Sequence, residues 1–174
     1  LMTKTAGIEG TGIIACDYEE ELREVLSGEE LEHAKSLLSK VSVVKDGIIA
    51  GRIGTHGMHD VTEGGILGAV WEMCSIAGTG ARLDAEAIPA DDVTRRICEH
   101  YDINMLRLIS SGSMLIMTEE DKKEEIIREL AAQGIPAAQI GKIVPKEEGL
   151  SICEGGKQTQ IDPPGPDELY KIVK

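Results

Sequence analysis

The stretch that decides the fold is His56-Gly-Met-His-Asp-Val-Thr-Glu-Gly-Gly65, which runs directly into Ile66-Leu-Gly-Ala-Val-Trp-Glu-Met-Cys-Ser-Ile-Ala77. The second part repeats apolar residues at three- and four-residue steps, which predicts a helix with one face against a core. The first part predicts a tight loop before that helix, with Met58 to Val61 short and extended. Asp60 or Thr62 is expected to cap the helix, and Glu63 to complete a capping box with Asp60.

The start of this helix is a candidate anion site. Uncapped N–H groups and the positive end of the helix dipole favour a phosphate or a carboxylate. Gly64 and Gly65 lack the Cβ atoms that would keep such a group away from the backbone. The alternative is that the two glycines simply turn the chain, and spacing alone does not decide between the two interpretations.

The rest of the chain predicts alternating helices and short strands. Periodicity and capping signals predict helices at 19–25, 29–38 with a capping box at Ser27 to Glu30, 42–53, 90–100 with Pro89 in the first turn, 118–133 capped by Thr118, and 167–173. The β-branched residues of 42–53 also allow a strand, but the helix is preferred. Strands are predicted at 81–85, 113–117 and 138–144, with a hairpin at 150–153 and 158–161. The fold class is therefore an α/β or α+β sandwich, with a mixed sheet and helices around an aliphatic core, in one domain over 1–174.

Composition excludes several classes of partner. The chain of 174 residues has a net charge of −13 and no Phe. This charge repels nucleic acid and anionic membrane surfaces, and no apolar run reaches the ~20 residues of a spanning helix. The four cysteines are scattered and no signal peptide is visible, so a cytoplasmic location is expected.

No catalytic or metal-binding residue stands out. His56, His59 and Asp60 offer ligand types that a divalent metal accepts, but a structural hydrogen-bonding role is preferred and no metal site is predicted. Gly155-Gly-Lys lacks the spacing of a phosphate-binding P-loop and is interpreted as a hairpin turn. The chain also lacks a recognisable nucleophile elbow and a dinucleotide fingerprint.

Three stretches together resemble a known family. Met58-His-Asp-Val-Thr-Glu-Gly-Gly-Ile66, the beginning Leu1-Met-Thr-Lys-Thr-Ala-Gly-Ile-Glu-Gly-Thr11, and Ser-Ser-Gly-Ser at 110–113 are similar to the C-terminal domain of the aminoimidazole ribonucleotide (AIR) synthetase superfamily. The most specific part is His-Asp-x-Thr-x-Gly-Gly, matched by His59, Asp60, Thr62, Gly64 and Gly65. Within the superfamily the chain most resembles the hydrogenase maturation branch, whose carbamoyl dehydratase makes a cyanide ligand.

The resemblance implies ATP-dependent chemistry in which an amide-type oxygen is phosphorylated and then expelled. It implies that Thr62, Gly64 and Gly65 face the phosphates, within a binding site that also includes His59 and Asp60. Lys4 and Glu9 are further candidates for the same cleft. ATP and Mg²⁺ are the implied cofactors, bound mostly by an N-terminal domain that this chain lacks. The implied partners are that domain, a second copy in a homodimer, and hydrogenase maturation proteins.

Two departures limit what the resemblance implies. Without the N-terminal domain, the isolated chain is expected to lack full catalysis. The maturation dehydratase ends in a Cys that accepts the carbamoyl group, whereas this chain ends Tyr170-Lys-Ile-Val-Lys174, and its last cysteine is Cys153. The alternative interpretation is a non-catalytic assembly domain of the same fold, in which the glycine loop is a structural turn.

Overall fold

The computed structural model describes residues 1–173, which form helices and two small sheets. The α-helices are Ile8–Asp17 (α1), Glu19–Leu22 (α2), Gly28–Ser36 (α3), Val44–Ile53 (α4), Gly65–Ala77 (α5), Asp92–His100 (α6) and Lys123–Ala132 (α7). The strands are Met2–Thr3 (β1), Gly57–Asp60 (β2), Gly80–Asp84 (β3), Met114–Met117 (β4), Ala137–Ala138 (β5), Gly141–Val144 (β6), Leu150–Glu154 (β7) and Lys157–Gln160 (β8). Short 3₁₀ turns occupy Leu37–Lys40, Met105–Arg107, Lys146–Glu148 and Glu168–Lys171.

The strands are divided between two four-stranded sheets. The first has the order β2-β4-β1-β5 and is antiparallel throughout, with Met2 opposite Leu115. The second has the order β6-β3-β7-β8, in which β3 and β7 are parallel and the other pairs antiparallel. The predicted α/β class with a mixed sheet is thus confirmed, although the strands form two sheets.

Three apolar clusters fill the space around these sheets. The first sheet separates two of these clusters. Strand β4 contributes to both, because successive side chains of a strand point to opposite faces of the sheet. Leu115 belongs to the cluster under α5, between the two sheets, whereas Met114 and Ile116 pack with α4 and α7. The third cluster joins α1, α2, α3 and α6.

Most predicted elements are present, and the errors have identifiable causes. The helix over 42–53, the strand before Val61 and the hairpin all form. Residues 138–144 were expected to form one strand, but the chain leaves the first sheet after Ala138 and enters the second at Gly141. Helix α6 begins after Asp91, which accepts from the Val93 N–H, so Pro89 precedes it. Helix α7 begins after Lys122 rather than after Thr118.

No helix within residues 1–173 combines the length and the apolar character that crossing a bilayer requires.

Candidate functional site

The three stretches that carry the family resemblance meet at one place. We call them the amino-terminal segment (residues 1–11), the glycine loop (residues 58–66) and the serine turn (residues 110–113). The Gly7 N–H donates to Ser110 Oγ at 2.8 Å, and the Ser113 hydroxyl donates to the Thr5 carbonyl at 2.6 Å. These bonds hold the amino-terminal segment against the serine turn across more than 100 residues of sequence.

The glycine loop joins the same turn through its backbone and through Asp60. The Val61 N–H donates to the Ser113 carbonyl, and the Ser110 N–H donates to the Val61 carbonyl. Asp60 Oδ1 accepts from the Gly112 N–H at 3.0 Å. The carboxylate that was expected to cap α5 therefore holds the serine turn instead.

His59 is anchored within the glycine loop by two oxygen atoms. Its Nε2 lies 2.9 Å from Glu72 Oε2 on α5, and its Nδ1 contacts the carbonyl of Asp60. Neighbouring His56 pairs with Glu119 at 2.6 Å. No group of three or more His, Cys, Asp or Glu side chains within residues 1–173 is arranged to hold a metal ion.

The residue just before α5 is held by a side chain that the sequence patterns do not reveal. Gly64, with φ +81°, is the residue before the helix, and no side chain of the glycine loop caps it. Its N–H donates to Asp167 Oδ2 at 2.7 Å, while Oδ1 of the same carboxylate accepts from Ile109 and Leu169. The capping box of Asp60 and Glu63 and the cap by Thr62 were therefore wrong. A buried carboxylate, 103 residues away in sequence, holds this helix start.

Gly65 is required by the protein's own backbone. Its φ is +62°, and a Cβ at this position would lie 2.6 Å from the Leu106 carbonyl oxygen and 2.8 Å from Arg107 Cα. Close approach was predicted at this glycine, and the approaching group in the fold is a neighbouring chain segment. The backbone contacts of Gly65 explain the glycine without a phosphate. Phosphate contact by Gly64 and Gly65 therefore stays a prediction.

Lys4 is held by the fold rather than projecting into solvent. Its Nζ lies 3.0 Å from Asp46 Oδ1, and it also donates to the carbonyls of Ser42 and Gly112. Asp46, on α4, is 1% exposed. An acidic residue on the buried side of an amphipathic helix indicates that a cationic side chain pairs with it. The sequence does not show which cationic residue that is. Lys4 thus fixes α4 to the serine turn.

Thr62 and Glu9 each have a polar side-chain atom without a hydrogen-bond partner within residues 1–173. Thr62 is exposed, and within residues 1–173 its hydroxyl makes no hydrogen bond, although its N–H donates to the Asp60 carbonyl. Glu9, in the first turn of α1, has a buried Oε2 with no hydrogen-bond partner in the same part of the chain. Thr62 therefore keeps a hydroxyl available for a ligand, whereas Glu9 Oε2 is covered by the chain itself.

The two buried cysteines, Cys74 and Cys98, give no sign of an activated nucleophile. Burial, assisted by the nearby Glu168 charge, raises the pKa of the Cys98 thiol to about 12. Burial also raises the pKa of the Cys74 thiol. Both thiols therefore stay protonated at neutral pH, and the thiolate is the reactive form.

A cleft of about 560 Å³ opens between the two sheets, away from this site. Its walls come from the C-terminal half of α5, the ends of β3 and β4, and residues 139–143, and its lining is mainly apolar. None of the seven predicted site residues lines it. If the binding site were chosen by concave shape alone, this cleft would be the candidate. The motif residues converge elsewhere.

The fold and the site define an α/β domain in which a glycine loop, a serine turn and a Gly-rich first segment converge. The model of the AIR synthase related protein C-terminal domain matches residues 1–153, and the chain belongs to that family. It is 26% identical over 139 residues to the carbamoyl dehydratase HypE of Rhizobium leguminosarum bv. viciae, covering 69% of this chain and 40% of the relative.

Solved structures show the same fold. The Escherichia coli hydrogenase maturation protein HypE superposes with a TM-score of 0.79 and 21% identity, over 99% of this chain and 52% of that one. A hydrogenase maturation protein HypE in complex with ATP gives a TM-score of 0.66 and 16% identity, over 99% and 52%. The chain thus spans about half the length of these relatives.

Proposed function

We propose that this chain is the C-terminal part of an ATP-dependent enzyme of the hydrogenase maturation kind. The enzyme would phosphorylate an amide-type oxygen so that this oxygen can be expelled. The observation that carries the proposal is the convergence of the three motif stretches through hydrogen bonds between distant residues. Family membership and the ATP complex of one relative support it.

Within this site Thr62 is the residue we assign to phosphate contact, because its side chain is exposed and makes no bond within the described part of the chain. His59, Asp60 and Lys4 would act by position: His59 and Asp60 shape the glycine loop, and Lys4 and Asp60 hold Gly112 from opposite sides. Gly64 and Gly65 would supply the tight backbone that presents Thr62.

The nucleotide would depend on more protein than this chain. Residues 1–173 contain no cluster suited to Mg²⁺, so we assign the metal and most nucleotide contacts to an N-terminal domain and route no step through them here. A homodimer of the full-length protein and contacts with hydrogenase maturation proteins belong to the same proposal. The net charge of −13 on this chain also disfavours binding of a triphosphate by its side chains alone.

The test is an amide-shift titration of the full-length protein with ATP and Mg²⁺, followed by inorganic phosphate. We expect shifts centred on Thr62–Gly65 and 110–113. Thr62→Val should weaken ATP binding about five- to tenfold, the effect of one hydrogen bond, without loss of stability. Ser75→Ala, on the exposed end of α5, is the control.

Two results would contradict the proposal. Bound ATP that leaves residues 62–65 and 110–113 unshifted would place the nucleotide elsewhere. A full-length protein that neither binds nor turns over ATP would favour the non-catalytic assembly domain, in which the glycine loop is structural.

A further inference from the structure

Helix α4 exposes large apolar side chains on the face that is turned away from the core. Asp46 and Ala50 lie on its inner face and are fully buried. On the outer face Val44 is 65% exposed and Ile48, one helical turn later, is 49% exposed. Isolated apolar residues on a surface are ordinary, whereas adjacent ones beside a groove are typical of a binding surface.

Ile48 also lines a groove of about 410 Å³ between α4 and α7. The α4 side of the groove consists of apolar and cationic residues: Lys45, Ile48, Ile49, Arg52 and Ile53. The α7 side provides Glu129 and Gln133, and the Glu129 carboxylate is paired with Arg128 at 3.4 Å. Because an α-helix rises about 1.5 Å per residue, Lys45 and Arg52 lie about 10 Å apart along the groove, with Ile48 between them.

The charge of this surface is opposite to that of the whole chain. The chain has a net charge of −13, but residues 40–53 contain three cationic side chains and one acidic side chain. The acidic residue, Asp46, is 1% exposed and pairs with Lys4 at 3.0 Å on the inner side of α4. Lys45 and Arg52 are exposed on the outer side. These two cations therefore set the sign of the potential along the groove.

Independently of the proposed function, we propose that this groove binds an acidic, amphipathic helical segment of a partner protein. An apolar side chain of the segment would lie against Ile48, as in other complexes of a helix with a groove. Two carboxylates of the same segment, about 10 Å apart, would meet Lys45 and Arg52. The groove thus matches its occupant in both shape and charge.

The net charge of the chain favours a short acidic segment over nucleic acid. Charges on the surface of a protein are largely screened beyond about 8 Å at physiological salt. A short segment would therefore meet mainly the positive potential of α4. A nucleic acid would extend past the groove and along the acidic surface of the chain, which repels it.

The test measures fluorescence anisotropy of labelled helical peptides, about 15 residues long, with the full-length protein. In the acidic peptide a Leu and two Glu residues repeat the spacing of Ile48, Lys45 and Arg52. In the basic peptide Lys replaces the two Glu. The wild type should bind the acidic peptide about tenfold more tightly than the basic one, and this preference should decrease with salt.

Three variants of the full-length protein locate the binding surface. Lys45→Glu/Arg52→Glu should reverse the preference, so that the basic peptide binds more tightly. Lys146→Glu/Lys157→Glu makes the same change in net charge at exposed positions of the second sheet and should keep the wild-type preference. Ile48→Ser should weaken both peptides about fivefold, through loss of apolar contact, without changing the preference between them.

Several results would overturn the proposal. These are the absence of peptide binding by the wild type, equal affinity for the two peptides, and an equal effect of the two charge-reversal variants, which would indicate a response to net charge alone. Tighter binding of duplex DNA than of the acidic peptide would assign the groove to nucleic acid. Self-association in sedimentation that only Lys45→Glu/Arg52→Glu abolishes would assign it to a second copy of the protein. Since none of these measurements involves ATP, they leave the proposed function to its own test.

Discussion

The starts of helices α1 and α5 lie at the same site, but their polar groups are satisfied in different ways. The N–H of Gly64, the residue before α5, is held by Asp167, a carboxylate from the far end of the chain. The start of α1 carries Glu9, whose buried oxygen has no partner within residues 1–173. The α5 start matches the sequence pattern of an anion site more closely, and a carboxylate of the protein itself binds the residue just before it.

The largest effect expected at the α5 start is that of Gly65→Ala. The new Cβ would meet the backbone of Leu106 and Arg107 at 2.6–2.8 Å in a left-handed conformation. Backbone strain and overpacking together should lower the free energy of unfolding by about 3–4 kcal/mol. Urea unfolding of the variant and the wild type measures the change.

Gly78→Ala is the matched control for this substitution. Gly78 has nearly the same φ, +68°, but a Cβ there would have no neighbour within 4 Å. Gly78→Ala should lower the free energy of unfolding by about 1 kcal/mol, because only the left-handed backbone conformation is unfavourable for the new side chain. Equal losses for the two variants would mean that close approach to Leu106 and Arg107 is not what requires Gly65.

A smaller effect is expected from Asp167→Ala, which leaves the N–H groups of Gly64, Ile109 and Leu169 without their acceptor. Since these bonds are charge-assisted and buried, the loss in unfolding free energy should be about 2–3 kcal/mol. Asp162→Ala, in the same segment but exposed, should stay within about 0.5 kcal/mol of the wild type.

Inorganic phosphate sharpens this measurement, because it can replace the missing carboxylate. If Asp167 fills an anion site, phosphate should raise the thermal midpoint of Asp167→Ala more than that of the wild type. An equal response of both proteins would indicate that Asp167 is only a cap, with no space for an external anion.

The sequence predicted most local elements but not every helix cap, and it predicted remote contacts poorly. The α5 helix, the hairpin and the capping box at Ser27 depend on neighbours within a few residues, and all three form. The resemblance also identified the three stretches that converge. Neither periodicity nor motif showed that Asp167 would cap α5, or that Asp46 would hold Lys4, because these pairs are 103 and 42 residues apart. Such contacts are determined by tertiary packing, on which sequence spacing carries no information.

The smallest effect is expected from Ser27→Ala, which removes a local cap and can be compared with the loss of the remote Asp167 carboxylate. Ser27 Oγ accepts from the Glu30 N–H, and Glu30 accepts from the Ser27 N–H at 2.7 Å, a bond that lowers the pKa of the Glu30 carboxyl. Ser27→Ala should cost about 1 kcal/mol in urea unfolding, because solvent can reach the exposed N–H that it leaves behind. The Asp167→Ala loss should exceed it, since the N–H groups uncovered there are shielded from water. Equal losses of unfolding free energy for the two variants would mean that burial of the N–H groups adds nothing to the strength of such a bond.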